Sequence, residues 1–134
     1  MIKASLAAPA YRVDIDAAGH ALIGDEGRSH GGADAGAAPF DLVLSGLAAC
    51  TLITLRMYAE RKGWAGFTAS AELRHRVEDG HNLIDRHVHV VGVPDEAGLA
   101  RLRDIVERTP VTLALKPGFA IATTLNPATE PVSR

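Results

Sequence analysis

Residues 39–63 decide the fold, and they read Pro-Phe-Asp-Leu-Val-Leu-Ser-Gly-Leu-Ala-Ala-Cys-Thr-Leu-Ile-Thr-Leu-Arg-Met-Tyr-Ala-Glu-Arg-Lys-Gly. Pro39 suits the first position of a helix, Asp41 complements the positive end of the helix dipole, and Gly63 can end the helix. The stretch therefore predicts a helix over residues 39–62, roughly 35 Å long. Its first four turns are apolar on all sides, so the helix has to be covered all round. Because the rest of a 134-residue chain can cover one side with a sheet, we predict that a second copy covers the other side in an obligate homodimer.

The segments around this helix predict a single α+β domain. Alternating apolar and polar residues indicate a β-meander over residues 2–24 and a β-hairpin over residues 67–93. The hairpin turn is predicted at residues 79–82, with Val77 opposite Ile84. Between the meander and the central helix lies a glycine-rich loop, residues 25–38. The last part, residues 95–125, predicts helices over Glu96–Arg108 and from Pro110 to Leu115 and a closing strand over Phe119–Leu125, followed by a tail at 126–134.

Composition narrows the classes of protein and partner. The chain carries 14 Lys and Arg against 16 Asp and Glu, so it lacks the basic surface of a nucleic-acid-binding protein. A single cysteine argues against a secreted domain built on disulfides. The apolar run from Leu42 to Leu55 has about 14 residues, fewer than the roughly 20 that span a membrane. We therefore predict a cytoplasmic protein that binds neither nucleic acid nor a membrane.

The six histidines raise the question of a metal site. His87 and His89 share one face of a predicted strand, but Arg74 and Arg76 on the neighbouring strand share that face. Two cations are unfavourable neighbours for a divalent ion. Neither a cysteine nor a carboxylate stands at ligand spacing, so we predict no metal site and no bound cofactor.

Cys50, the only cysteine, lies eleven residues inside the predicted helix. It cannot form a disulfide within the chain, and it gains nothing from the helix N-terminus. A thiol buried in apolar surroundings is unreactive. Residue chemistry alone therefore favours a packing role for Cys50 and leaves a reactive role open.

The stretch from Pro39 to Thr51, continued by residues 55–64, resembles the OsmC/Ohr family of thiol-dependent peroxidases, and most closely its short OsmC-like branch. Asp25-Glu26, Gly31-Gly32 and residues 107–111 also fall where that branch has its motifs. The resemblance covers most of the chain in order. It implies an intertwined α+β homodimer in which antiparallel sheets enclose long central helices, with active sites at the subunit interface.

The resemblance also assigns positions to single residues. Cys50 occupies the position of the peroxidatic cysteine, whose thiolate attacks the peroxide O–O bond and becomes a sulfenic acid. In the family a second cysteine then forms a disulfide with it, and an external dithiol restores both thiols. This chain has Thr109 at the second position, and a hydroxyl group cannot form that disulfide. We expect Thr109 to cap a helix instead.

The residues that hold the thiolate in the family are also altered. The family places a glutamate directly after the helix-opening proline, where it holds an arginine against the thiolate. This chain has Phe40 there, and Asp41 is turned by about 100° around the helix. The arginine comes from the first hairpin, where Arg12 is the candidate, and Arg28 is a second source of positive charge.

These features predict an OsmC-like thiol protein that resembles organic hydroperoxide reductases. The leading interpretation is one-cysteine peroxide reduction at Cys50, completed by an external thiol reductant, in defence against oxidative stress. The alternative is a non-catalytic dimer that binds a small apolar or thiol-reactive ligand in the same interfacial pocket. A third possibility is a structural dimer in which Cys50 only packs.

Overall fold

The computed structural model describes residues 1–127, so all but the first two residues of the predicted tail at 126–134 lie outside the described part. The chain divides into two compact units, residues 1–43 with residues 121–127 and residues 44–120. The division falls inside the long helix of the sequence motif. Both units contain antiparallel strands and helical segments, so the predicted α+β fold class is confirmed.

The first unit contains the predicted β-meander. Its strands are β1 (Ile2–Leu6), β2 (Val13–Ala17) and β3 (His20–Gly24), in the order β1-β2-β3 with both pairs antiparallel. Ala18 and Gly19 connect β2 to β3 and have φ angles of 53° and 93°. Two consecutive positive φ angles match the twist of the strands on either side of a two-residue hairpin turn. The meander prediction is confirmed.

One buried carboxylate organises the loop over residues 25–38. Asp25 accepts hydrogen bonds from the backbone N–H groups of Glu26, Ala33 and Ala35, at 2.7, 3.3 and 3.0 Å. The N–H of Ala35, followed by that of Glu26, lowers the pKa of Asp25 below its ordinary value. A Cβ atom at Gly32 would lie 1.9 Å from the carbonyl oxygen of Glu26. The loop therefore folds back on itself so closely that one position accepts only glycine.

The central helix, α1 (Pro39–Lys62), has the predicted bounds. Its buried residues form one stripe at spacings of three and four, namely Leu44, Leu47, Thr51, Leu55 and Ala59. On the opposite side Ile53 and Met57 are 54% and 58% exposed. A single chain therefore covers only one side of this apolar helix.

The 24 residues of α1 are enough, by length and composition alone, for a membrane span. An 18-residue window within the helix has a mean hydropathy of 1.6, and 22% of that window is buried. The predicted apolar run from Leu42 to Leu55 is the central part of this longer helix, and the window passes the test because it extends beyond that run. A core helix of a soluble protein can have the same composition, so this test is weak evidence for a membrane.

The second unit contains a long hairpin of β4 (Thr68–Glu78) and β5 (His81–Val91). Its turn is only Asp79-Gly80, with φ angles of 50° and 76°. Val77 therefore pairs with Asn82, and the predicted pairing of Val77 with Ile84 is wrong by two residues. A shift of two residues leaves every side chain on its predicted face, because side chains alternate with a period of two.

Two short helices complete the second unit, α2 (Glu96–Val106) and α3 (Pro110–Leu115). Asp95 caps α2 as predicted, since its side chain accepts the N–H of Gly98 at 2.7 Å. The helix ends two residues before the predicted Arg108. Buried apolar side chains from α1, α2 and the residue before β4 form the core of this unit, namely Leu55, Ala59, Phe67 and Leu102.

The predicted closing strand over Phe119–Leu125 is absent from the described chain. Residues 118–127 form neither helix nor strand, and Phe119, Ile121 and Leu125 are exposed. A strand exists only where a neighbouring strand accepts its hydrogen bonds. Within residues 1–127 no strand is paired with this segment.

Candidate functional site

Cys50 lies on the border between the covered and the uncovered side of α1. Leu47 and Thr54, three and four residues away on one flank, are buried or half-buried, whereas Gly46 and Ile53 on the other flank are exposed. The thiol itself is free and half-buried. Residue chemistry favoured a buried, packing cysteine; in the single chain the thiol is half-buried, and the packing role stays a prediction. A thiol at this border is open to approach from the uncovered side.

The next residue fixes this turn of the helix to the rest of the second unit. Thr51 is completely buried, and its side chain is turned by about 100° from that of Cys50. Its Oγ1 donates to the carbonyl oxygen of Leu47 at 2.7 Å and accepts a hydrogen bond from Nη1 of Arg86 at 2.9 Å. Cys50 is therefore carried on a helical turn that a strand holds from the covered side.

Arg86 connects three helices through one guanidinium group. Its side chain is only 12% exposed. Beyond Thr51, Nη1 donates to Oγ1 of Thr112 at 2.9 Å, and Nη2 donates to the carbonyl oxygen of Val106 at 2.8 Å. Glu107 contributes a carboxylate oxygen 3.9 Å from Nη2, beyond hydrogen-bonding distance. The positive charge is held chiefly by neutral oxygen atoms.

Arg86 was not among the predicted site residues, although its position in the sequence indicates a buried charge. Ile84, Val88 and Val90 alternate along β5 on the face that also carries Leu73 of β4. Arg86 stands in that apolar register, and a charged residue on the covered face of a strand requires partners. The partners could not be named, because they come from segments 20 to 35 residues away in the chain.

Thr109, which the family resemblance aligns with the second cysteine, is completely buried. It stands at the N-cap of α3, but its side chain makes no hydrogen bond to the backbone of that helix. Its Oγ1 instead lies 2.6 Å from Oγ1 of Thr112. The predicted side-chain cap is therefore wrong. Thr109 belongs to a polar group with Thr51, Arg86 and Thr112, which we name the Arg86 cluster.

The two candidate arginines lie in the first unit. Nε of Arg12 donates to Oδ1 of Asp14 at 3.1 Å. Arg12 also adds, after the backbone N–H groups headed by that of Ala35, to the low pKa of Asp25. Arg28 is exposed in a short 3-10 helix, Arg28–His30. Arg12 thus has acidic neighbours within its own unit, and its action on Cys50 stays a prediction.

The histidines do not gather around a possible metal ion within residues 1–127. No group of three or more His, Cys, Asp or Glu side chains in that part of the chain could hold a metal. His87 pairs with Glu72 and His89 with Ser70, on the face that also carries Arg74. The predicted placement of the two histidines with the arginines is confirmed.

A cleft of about 500 Å³ opens beside the Arg86 cluster, between β5 and α3. Leu47, Ile84 and Leu115 contribute its apolar lining, and Asp85, Arg86, Glu107 and Lys116 contribute its charged side chains. Nζ of Lys116 lies 2.8 Å from Oε2 of Glu107. The hydrogen bond from Lys116, with a further contribution from the charge of Arg86, lowers the pKa of Glu107. We name this feature the β5–α3 cleft.

The fold is shared with solved structures of low sequence identity. An OsmC-like protein from Mycoplasma pneumoniae is 22% identical, with a TM-score of 0.67, over 87% of this chain and 86% of that one. An organic hydroperoxide resistance protein OsmC from Legionella pneumophila is 19% identical, with a TM-score of 0.58, over 87% and 88% of the two chains. At these identities the likeness concerns the fold alone. No functionally curated protein matches the sequence.

The family model described as OsmC-like protein matches residues 31–124, which include the end of the loop, all of α1, the hairpin and both short helices. The match covers more than half of the chain and contains both Cys50 and Thr109. It extends over the long apolar helix and the β4–β5 hairpin, and the chain belongs to the OsmC-like protein family.

Proposed function

We propose that this protein reduces organic hydroperoxides through Cys50 alone, in the cytoplasm, as part of the defence against oxidative stress. The observation that carries the proposal is the half-buried thiol on the border of α1. The family resemblance implies that this is the position of the peroxidatic cysteine. Such a thiol is open to a small molecule, while Thr51 and Arg86 hold the turn that carries it.

The chemistry balances without a second cysteine in the chain. The Cys50 thiolate attacks the terminal peroxide oxygen, the O–O bond breaks, and the alkoxide leaves and takes up a proton as an alcohol. The cysteine is oxidised to a sulfenic acid as the peroxide is reduced. An external thiol then forms a mixed disulfide with Cys50 and releases water, and a second external thiol restores Cys50 and leaves as a disulfide.

Positive charge near the thiol would raise the fraction of reactive thiolate. We propose that Arg12 or Arg28, from either copy of a homodimer, supplies it. Arg12 is the better candidate because its guanidinium is already held by a carboxylate, Asp14. The family resemblance implies an arginine that is held by a glutamate. In this chain that glutamate is missing, and Asp14 is the carboxylate that holds Arg12.

We further propose that a second copy covers the exposed side of α1. Ile53 and Met57 would otherwise leave an apolar strip in water beside Cys50. Exposed apolar surface of this kind marks interaction sites on soluble proteins. The homodimer would place Cys50 at the subunit interface and close the site against bulk water.

Rapid mixing with cumene hydroperoxide tests the reaction. We expect loss of the Cys50 thiol at neutral pH much faster than for free cysteine, with one sulfenic acid per chain trapped by dimedone. Cys50→Ser is the control and should consume no peroxide. Catalytic turnover should require added thiol, since the chain holds no other cysteine.

A Cys50 thiol that reacts no faster than free cysteine, in a folded protein, would overturn the peroxidase proposal. If the same thiol also resisted alkylating agents, the packing interpretation would replace it. If it reacted with alkylating agents but not with peroxide, the ligand-binding interpretation would be favoured.

A further inference from the structure

We propose that the β5–α3 cleft binds a small amphipathic monoanion, with its carboxylate at Arg86 and Lys116 and its apolar chain against Leu47, Ile84 and Leu115. The cleft lies in the second unit and needs no contribution from Cys50. The proposal therefore stands apart from the peroxidase chemistry and is tested without it.

The size and lining of the cleft favour a small organic ligand. Its volume of about 500 Å³ lies within the range of roughly 300–1,000 Å³ that holds small molecules in proteins. Leucine and isoleucine side chains from α1, β5 and α3 contribute the apolar part of its wall. Such pockets combine an apolar lining with a few placed polar groups that fix the orientation of the ligand.

The charges of the cleft favour an anion. Asp85 also lines the cleft, but its carboxylate is paired with Nε of Arg76, a residue outside the lining, at 2.6 Å. Of the other charged side chains, Arg86 and Lys116 are positive and Glu107 is negative, which leaves one positive charge among these three. The low pKa of Glu107, caused first by Lys116 and then by Arg86, keeps this residue ionised at neutral pH. A ligand with a single negative charge would compensate the remaining positive charge.

Arg86 has N–H donors left for a further acceptor. A guanidinium has five N–H donors, and within residues 1–127 three hydrogen bonds are formed, to Thr51, Thr112 and Val106. All three acceptors are neutral, and the oxygen of Glu107 is 3.9 Å away. A carboxylate can approach a nearly buried guanidinium in this state and form a charge-assisted hydrogen bond, which is stronger than a neutral one.

Glu107 is then a competitor for the ligand. It lies between the two cations, bound to Lys116 at 2.8 Å and near Arg86. An incoming carboxylate has to share these cations with it. Removing the charge of Glu107 should therefore strengthen binding, whereas removing the charge of Lys116 should weaken it.

Calorimetric titration with sodium octanoate, and with octan-1-ol as the neutral analogue, tests the proposal on the full chain. We expect octanoate to bind more tightly than octanol. Lys116→Met should weaken octanoate binding about two- to fivefold and Glu107→Gln should strengthen it by a similar factor, as for partly exposed ion pairs. Neither variant should alter octanol binding to that extent.

Lys62→Met and Glu60→Gln are the matched controls, because they remove the same charges from exposed positions at the end of α1 that do not line the cleft. Both substitutions in the cleft lie at exposed side chains, so the fold is kept for the comparison. Absence of octanoate binding, equal affinity for octanoate and octanol, or equal effects of the cleft and control variants would each overturn the proposal.

Discussion

Each unit contains one charged side chain that holds its surroundings together, and the two differ in how far they reach along the chain. Asp25 binds backbone N–H groups of its own loop, one to ten residues away. Arg86 binds oxygen atoms 20 to 35 residues away, on α1, at the end of α2 and on α3. The anion thus shapes one loop, whereas the cation joins separate elements.

The two residues should therefore differ in how much stability the protein loses when each is replaced. A local anchor can be lost while the sheet beside it stays paired. A long-range anchor is shared by elements that pack against each other, so its loss leaves buried oxygen atoms without donors. The stability of the second unit should therefore depend on Arg86 more than that of the first depends on Asp25.

Arg86→Met should produce the largest effect. The buried Oγ1 of Thr51 would lose its donor, and the carbonyl oxygen of Val106 would keep only the 3.5 Å hydrogen bond from Oγ1 of Thr112. A buried acceptor without a donor costs about 1–3 kcal/mol in unfolding free energy. Urea denaturation followed by circular dichroism measures the loss. Arg76→Met is the control on the same hairpin, since Arg76 forms exposed ion pairs with Asp85 and Glu78, which contribute little to stability. Equal losses in the two variants would contradict the role of Arg86.

Gly32→Ala should have the next largest effect, confined to the loop over residues 25–38. The new Cβ would meet the carbonyl oxygen of Glu26 at 1.9 Å, so the backbone has to move, at a cost of about 1–3 kcal/mol within the loop. Hydrogen exchange at Ala33 and Ala35 should accelerate, because their N–H groups would lose Asp25 as acceptor.

Gly27→Ala serves as the control for this experiment, since a Cβ there meets nothing within 4 Å. Unchanged exchange in Gly32→Ala, or equal acceleration in the control, would show that the close approach does not hold the loop. Exchange in α1 should stay the same in both variants.

Asp25→Asn should have the smallest effect, visible as a change in pH dependence. The backbone N–H groups, led by that of Ala35, lower the pKa of Asp25 in the folded protein. Stability from this ionised group is present above its ordinary pKa of about 3.9 and is lost as pH falls through the lower folded value. The melting temperature of Asp25→Asn should therefore be below that of wild type at pH 7, and the gap should close below about pH 4. Asp34→Asn is the control, because Asp34 is an exposed acid in the same loop. Its melting temperature should match that of wild type over the whole pH range.

Features that depend on neighbouring residues could be predicted from the sequence, whereas features that depend on distant contacts could not. The bounds of α1, the meander and the faces of the hairpin follow from local patterns, and those predictions are confirmed. The hairpin register was wrong because Asp79-Gly80 alone makes the turn. Thr109 stands at the N-cap of α3 as predicted, but its hydroxyl bonds to that of Thr112, one helical turn later, instead of capping the helix.

The candidate site was predictable only in part. Cys50 and Thr109 were found through the family motifs, because these positions lie in recognisable stretches of sequence. Arg86 was not found, since its acceptors are brought together by packing rather than by spacing. The prediction of a closing strand over Phe119–Leu125 was wrong for a related reason. The residue pattern of a segment does not show whether another strand will pair with it.

Sedimentation velocity tests the central claim, that a second copy covers the open side of α1 and thereby completes the site at Cys50. We expect a dimer at micromolar concentration, and a monomer for Ile53→Glu, which places a charge on that side. Ala97→Glu, at an exposed position of α2, should stay dimeric. A folded wild-type protein that sediments as a monomer at every concentration would contradict the account.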